Sequence, residues 1–362
     1  MKRRRLLAWL GTAVTLAAAA ALGLFVFLFP VPSPPPLEGP HAVGTLTFEI
    51  PARGKIPRLL VQAWYPTDHP EEGKPSPWLP DPALAPRFPF HRIRNATARG
   101  RSGAPLRHES NQLPVLFYEH SWTGHRAENI AQVESLASKG FVIIAIDHPG
   151  QAARVRYADG TVVPTRLDGS IDFTTSKGVA AFEASALGCL EQRISNVATV
   201  KQALIDNTVP AFKGRLKLDR VGVFGFSFGG TSALRLCARD SSFHAGANED
   251  GLFLGDEMPK GPFLFFDQQM PAWLLADPAP GEDMGQVLTR KAESQILAAM
   301  KQPSRYREIL DGTTHDSFND RIFLSRYPHL ARAGKRPATE IHAIIVNRLS
   351  EFFSRELQGN ME

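Results

Sequence analysis

The sequence predicts an α/β fold in which a mostly parallel central sheet carries helices on both faces. Three observations carry this. "FVIIAIDH" (141–148) is a nearly continuous apolar run, the pattern of a strand covered on both sides. "AENIAQVESLASKG" (127–140) before it has helical periodicity and a glycine stop. Strand-like and helix-like segments then alternate for more than 200 residues, which argues against separate all-α or all-β domains.

In chain order, Lys2, Arg3, Arg4 and Arg5 precede 24 uncharged residues, Leu6–Phe29. A run of 18 or more is long enough to cross a bilayer as a helix, and the basic flank places the body of the chain on the extracytoplasmic side. The length favours an uncleaved anchor over a cleaved signal, whose apolar core is about 7–15 residues. The alternative is a secreted or periplasmic protein after cleavage. Residues 30–40, "PVPSPPPLEGP", read as an extended proline-rich linker that holds the rest off the membrane. The domain is expected over 41–358.

Within it, "VGTLTFEI" and "RLLVQAWYP" read as a hairpin or paired strands. Residues 66–112 read as an irregular excursion. "LPVLFYEH" (113–120) is a strong apolar strand, and 149–190 reads as a long loop region beside a cleft. "ISNVATVKQALIDN" (194–207) is the next helix. "DRVGVFGF", "SFHAGANED", "GPFLFFDQQ" and "RYREIL" are strands, "GGTSALRLCAR" and "ESQILAAM" are helices, and 339–357 is a closing amphipathic helix. No internal repeat is present.

Four of the 41 basic residues lie in the N-terminal flank, so 37 face 36 acidic ones in the rest of the chain. The net charge of +5 is therefore mostly a topology signal, and no basic block marks a nucleic-acid face. Two cysteines, Cys189 and Cys237, exclude a disulfide-rich scaffold or a multi-cysteine metal site and read as buried thiols, with a disulfide in an exported domain as the alternative. There is no HExxH helix, no Walker lysine pattern and no G-x-G-x-x-G. The expected chemistry calls for no metal or organic cofactor. Nothing in the sequence assigns an oligomeric state.

The chemistry starts at "VGVFGFSFGG". Gly225-Phe226-Ser227-Phe228-Gly229 has the form G-x-S-x-G between a strand and a helix, the setting in which a serine projects from a sharp turn at a sheet edge. Side chains at Gly225 and Gly229 would collide there. A serine needs a base, and His315 in "ILDGTTHDSF" follows a strand and turn late in the chain. His329, in a surface turn, and His342, within the last helix, fit less well. Three carboxylates stand at strand ends as the acid: Glu249, Asp250 and Asp267. Pattern alone leaves them open.

These segments resemble the platelet-activating factor acetylhydrolases of the plasma and type II group and their bacterial relatives. The resemblance runs from about 42 to 355. It is carried by "PVLFYEHSWTGHRAENIAQVESLASKGFVIIAIDH", "VGVFGFSFGG", "ANEDGLFLGDE" and "GTTHDSFNDRIF". It implies an α/β-hydrolase fold, with Ser227 as nucleophile, Asp250 as acid and His315 as base. It also implies an oxyanion hole made of the backbone N–H groups of Trp122 and Phe228. The implied substrates are esters, specifically phospholipids with a short or oxidised sn-2 acyl chain. A general short-chain carboxylesterase or polyester hydrolase is the alternative; a non-catalytic lipid- or protein-binding relative is a second, and in it the three residues would not converge. Phe226 stands where the family has histidine, Ser121 where it has glycine, and 66–112 and 149–190 match least.

Overall fold

A computed structural model describes residues 2–108, 111–168, 170–278 and 281–358. Met1 of the expected anchor and residues 109–110, 169 and 279–280 of the expected 41–358 domain lie outside the described residues.

Twelve strands are described: β1 Ala42–Ile50, β2 Leu59–Thr67, β3 Lys74–Pro77, β4 Thr97–Ser102, β5 Leu113–Glu119, β6 Val142–Asp147, β7 Arg154–Arg156, β8 Val162–Pro164, β9 Leu216–Phe226, β10 Phe243–Glu249, β11 Phe263–Gln268 and β12 Arg305–Leu310. The helices are α1 Lys2–Leu28, α2 Ile130–Ser138, α3 Ser176–Ile205, α4 Phe228–Arg239, α5 Ala272–Leu275, α6 Met284–Ala299 and α7 Ala338–Gln358. Ten strands form one sheet in the order β12-β11-β10-β9-β5-β6-β2-β1-β4-β3. From β6 to β12 neighbours run parallel, while β2 is antiparallel to both β6 and β1. From β1 to β12 this is the strand order of an α/β-hydrolase. The expected hairpin is β1–β2, with Ala42 opposite Thr67.

Two apolar layers hold the sheet. One packs α2 and α7 against one face through Val133, Leu136, Phe224, Leu349 and Phe353. The other packs α3, α4 and α6 against the opposite face through Val197, Val200, Leu236, Phe265 and Ile296. Parallel strands need helices on both faces because each strand presents apolar side chains to both. Both cysteines are free and buried.

Four expectations change. The region 149–190 is not one long loop: it holds the β7–β8 ribbon, and α3 begins at Ser176 behind an N-cap in which Thr175 accepts from the Gly178 N–H. The segment 194–207 is the second half of this 30-residue helix. Its first half buries Val179, Phe182, Ala186, Cys189 and Leu190 in a separate apolar cluster with Phe228 and Leu254, beside the cleft rather than against the sheet. The region 66–112 contributes β3 and β4 to the sheet edge. The segment 30–40 holds no helix or strand, and it lies on the body instead of standing away from it. Arg99 donates to the carbonyls of Pro34 and Pro35, the Gly39 N–H donates to Ser138 Oγ at 2.8 Å, and Leu37 packs on the core.

Candidate active site

Ser227 stands between the end of β9 and the start of α4 with φ 55° and ψ −122°. A non-glycine residue adopts such angles only where its surroundings enforce them. Here its N–H donates to the Glu249 carbonyl at 2.8 Å, and its own carbonyl accepts from the Gly230 N–H at 2.9 Å. The flanking glycines are needed for space. A Cβ on Gly229 would lie 1.9 Å from the Glu119 carbonyl oxygen, and one on Gly225 would lie 2.5 Å from the same atom.

His315 opens a short 3-10 turn after β12. Thr314 and Ser317 bond reciprocally across that turn, and the Thr314 hydroxyl donates to the Arg332 carbonyl at 2.6 Å. The imidazole Nε2 lies 3.0 Å from Ser227 Oγ, and Nδ1 lies 2.6 Å from Asp250 Oδ2. Asp250 has φ 55° just past β10. Its carboxylate accepts from the Gln268 N–H at 3.0 Å and the Gln268 side chain at 3.1 Å, which fixes its direction. Burial pulls the His315 pKa down, but the hydrogen bond and charge of Asp250 outweigh it, so the net shift is upward. Phe226, which replaces the resembled family's histidine, is a platform: its ring centroid is 4.7 Å from that of His315.

The other carboxylates point elsewhere. Asp267 accepts from Arg307 Nε at 2.7 Å, and burial raises its pKa to about 6. Glu249 projects into the core, where Gln132 donates to it and burial raises its pKa to about 8. Glu249 is the last residue of β10 and points into the core, whereas Asp250 lies past the strand at φ 55° and turns toward His315. His342 is buried against Ser135, its pKa lowered to about 4, and His329 packs beside Tyr327.

Trp122 and Phe228 meet beside Ser227, their rings edge to face at 5.0 Å. Phe228 is the first residue of α4, so its N–H has no intrahelical acceptor. The loop before Trp122 is held from two sides. Glu128 accepts from the Ser121 N–H at 2.9 Å and the Ser121 hydroxyl at 2.6 Å. The serine at the family's glycine position is thus a second donor to a buried carboxyl. On the other side is Arg193 of α3, fully buried. It donates to the carbonyls of His120 (2.7 Å) and Ser121 (3.3 Å), and its guanidinium lies 4.7 Å from the Phe228 ring centroid. Burial pushes the Glu119 carboxyl up, but His148, Arg193 and Ser232 outweigh that and hold it below its ordinary value. Sequence reasoning did not single out Arg193. The available signal was an arginine on the apolar face of Leu190, Val197 and Val200, a face that has no place for an unpaired charge.

Two cavities meet at Ser227, His315 and Trp122. One, about 360 Å³, is polar, with Glu128, Asp316, Asn319, Asp320 and Arg321 in its walls. The other, about 460 Å³, is apolar and aromatic, with Phe173, Phe182, Phe228, Leu254 and Trp273. Among the described residues, His69, Glu71 and Glu72 bring ligating atoms close enough together for a cation. All three are exposed, and none lines either cavity.

Comparison with known proteins fits this geometry. A family described as "Platelet-activating factor acetylhydrolase, isoform II" matches residues 31–165, from the linker through β8. That stretch includes Trp122 and ends before Ser227, Asp250 and His315. A "Platelet-activating factor acetylhydrolase" of Gallus gallus is 23% identical over 80% of this chain and 74% of its own length. A "Probable 1-alkyl-2-acetylglycerophosphocholine esterase" of Arthroderma benhamiae is 22% identical, and the match spans 42% of this chain but only 35% of that protein. In fold, a ferulic acid esterase from Streptomyces cinnamoneus superposes with a TM-score of 0.69 over 92% of this chain and 95% of its own, at 21% identity. The chain is an α/β-hydrolase related, at low sequence identity, to the PAF-acetylhydrolase and esterase group. In this α/β-hydrolase the elbow, the acid loop and the histidine loop all stand at the C-terminal ends of parallel strands, where open α/β sheets place their ligands.

Proposed function

We propose that the chain is a serine carboxylic-ester hydrolase that works by acyl transfer. The observation that carries this is the continuous line Ser227 Oγ, His315 Nε2, His315 Nδ1, Asp250 Oδ2 at the junction of two cavities. Ser227 attacks the ester carbonyl and His315 takes its proton. Asp250 keeps the ring oriented and offsets its charge. The amides of Trp122 and Phe228 take the negative charge of the tetrahedral intermediate, where two fixed donors contribute most because they need no reorganisation. His315 returns the proton to the leaving alkoxide, and water then cleaves the acyl-enzyme by the same route.

The finer reading is a phospholipid with a short or oxidised sn-2 acyl chain. Its support is the names of the two curated relatives and a polar cleft whose Arg321 and Asp316 suit a zwitterionic leaving group. A general carboxylesterase or polyester hydrolase is the second reading, favoured by an apolar cavity wider than an acetyl group needs. The Leu6–Phe29 run is read as a retained anchor, with secretion after cleavage as the alternative. Trp9–Leu28 has a mean hydropathy of 2.1 and is exposed, and a signal sequence would look the same.

The test is hydrolysis by the full chain of p-nitrophenyl esters of rising chain length and of sn-2 acetyl, glutaroyl and palmitoyl phosphatidylcholines. The phospholipid reading expects the first two lipids to be cut well ahead of the palmitoyl one. Equal rates on all esters favour the general esterase. A fluorophosphonate probe should add its mass to the peptide containing Ser227; labelling elsewhere with full loss of activity would refute the nucleophile.

A further inference from the structure

One wall of the apolar cavity is a single turn of helix held by a single arginine. Between β11 and α6 the chain borders the cavity, and Met270, Pro271, Trp273 and Leu274 line it from that side. The turn, α5, is only Ala272–Leu275. A helix that short cannot stand on its own hydrogen bonds, because its first turn fixes several residues for one bond. None of its residues is buried. Among the described residues, neither Trp273 nor Leu274 joins the two apolar layers of the sheet or the cluster around Phe182 and Phe228. Apolar packing therefore does not fix this turn.

Arg290 of α6 does. Its Nη1 donates to the Leu274 carbonyl at 3.2 Å and to the Ala276 carbonyl at 2.8 Å, and its Nη2 donates to the Trp273 carbonyl at 2.6 Å. These carbonyls belong to the end of the turn, where a helix has no partners of its own to offer. Glu282 holds the same guanidinium from another edge, accepting from Nε at 3.0 Å and from Nη2 at 2.6 Å. A planar fork with acceptors on two edges has its orientation fixed. The two side chains are only 18% and 11% exposed. Arg290 itself stands outside the cavity, while its neighbours Thr289, Ala292 and Glu293 line it.

The facing walls are of another kind. Phe182, Phe228 and Leu254 belong to a buried apolar cluster and cannot move without opening it. The α5 turn has no such cluster behind it. It moves if the guanidinium lets go.

We propose that Arg290 is the positioning residue that sets the acyl-chain limit, by holding α5, with Trp273 and Leu274, as the outer wall of the acyl cavity. With the guanidinium in place a long acyl group meets Trp273. Without it the turn yields and a longer chain is accepted. The proposal deepens the esterase reading above and rests on it, with the acyl group in the apolar cavity.

The test uses the full chain and its Arg290→Met variant, which keeps the length of the side chain and removes every donor. kcat/KM is measured on p-nitrophenyl acetate, butyrate, octanoate and dodecanoate. The octanoate-to-acetate ratio should rise about 10-fold in Arg290→Met, chiefly through a lower KM for octanoate. Arg290→Lys keeps the charge but reaches fewer carbonyls and should fall between. Glu282→Gln should shift the ratio the same way by less. Hydrogen exchange of 272–276 should speed up several-fold in Arg290→Met with β11 unchanged. A ratio within about twofold of the parent overturns the proposal, even where exchange is faster, because Arg290 is then a clamp without a part in specificity. Equal loss on all the esters with a lower thermal midpoint overturns it as well. If Arg290→Met does not fold, the ratios of Arg290→Lys and Glu282→Gln decide. A parent chain silent on every ester overturns the esterase reading and the acyl limit with it, while the exchange of 272–276 still decides the clamp.

Discussion

The strand-end frame and the walls above it are held by different forces. At the ends of β9 and β10 the backbone itself does the positioning: Ser227 and Asp250 sit at positive φ, tied by N–H bonds to the Glu249 and Phe266 carbonyls. The walls come from 66–108, 149–190, 252–296 and 316–324, and side-chain contacts such as Trp122 on Phe182, or Trp78 donating to Asp320, hold them. A backbone-held frame tolerates no added Cβ, whereas a side-chain-held wall is free to vary in shape. The difference separates chemistry, which needs tenths of an ångström, from substrate choice, which needs only volume and polarity.

The sharpest break of the frame is Ser227→Ala, which should lower kcat by roughly 10⁴-fold or more with the thermal midpoint unchanged. Residual turnover within tenfold of the parent would remove Ser227 from the chemistry. Next is Asp250→Asn, with an expected loss of about 10³-fold. Its pH profile gives a second readout. As the proposed base, His315 must be neutral to act, so activity should rise with pH through its raised pKa. Without the Asp250 charge that pKa falls, and the acid limb moves to lower pH. Asp267→Asn should leave the limb in place, because Asp267 is bound to Arg307.

Arg193 joins the two regions, since it rises from α3 in the wall and grips the loop of the frame. Arg193→Met should lower kcat about 10²-fold with KM within about threefold, and Arg193→Lys should recover part of it. The Met variant also strands the Glu119 charge and should melt earlier. A fall in stability with kcat intact would make Arg193 structural only. The smallest effect belongs to the wall alone. Trp273→Ala should change total activity by less than about tenfold and shift preference toward longer or bulkier acyl groups, read from the ester panel.

What could be read before folding follows the same division. The elbow was legible because Gly225, Ser227 and Gly229 encode a steric requirement in their spacing. β5, β6 and β9 were legible because their apolar runs allow no other burial. The acid was not legible in the pattern, because Glu249, Asp250 and Asp267 look alike at strand ends and differ only in where their side chains point; only the family resemblance singled out Asp250. The start of α3 was missed although Val179, Phe182, Ala186, Cys189 and Leu190 form an apolar stripe at helical spacing. The linker was read as free because proline density predicts extension and says nothing about what the extended chain lies against.

The sequence by itself determined the sheet's core strands, the sharp turn at Ser227, the late histidine and an N-terminal helix long enough to cross a membrane. All are local properties of composition, periodicity and sterics. The tertiary structure decided which carboxylate meets His315, that Phe226 serves as its platform, and that Arg193 holds the loop before Trp122. It also decided that α1 ends on the rim of the cleft. Each of these joins residues far apart in the chain, Ser227 to His315 or Leu28 to Arg326, and only packing brings them within bonding distance.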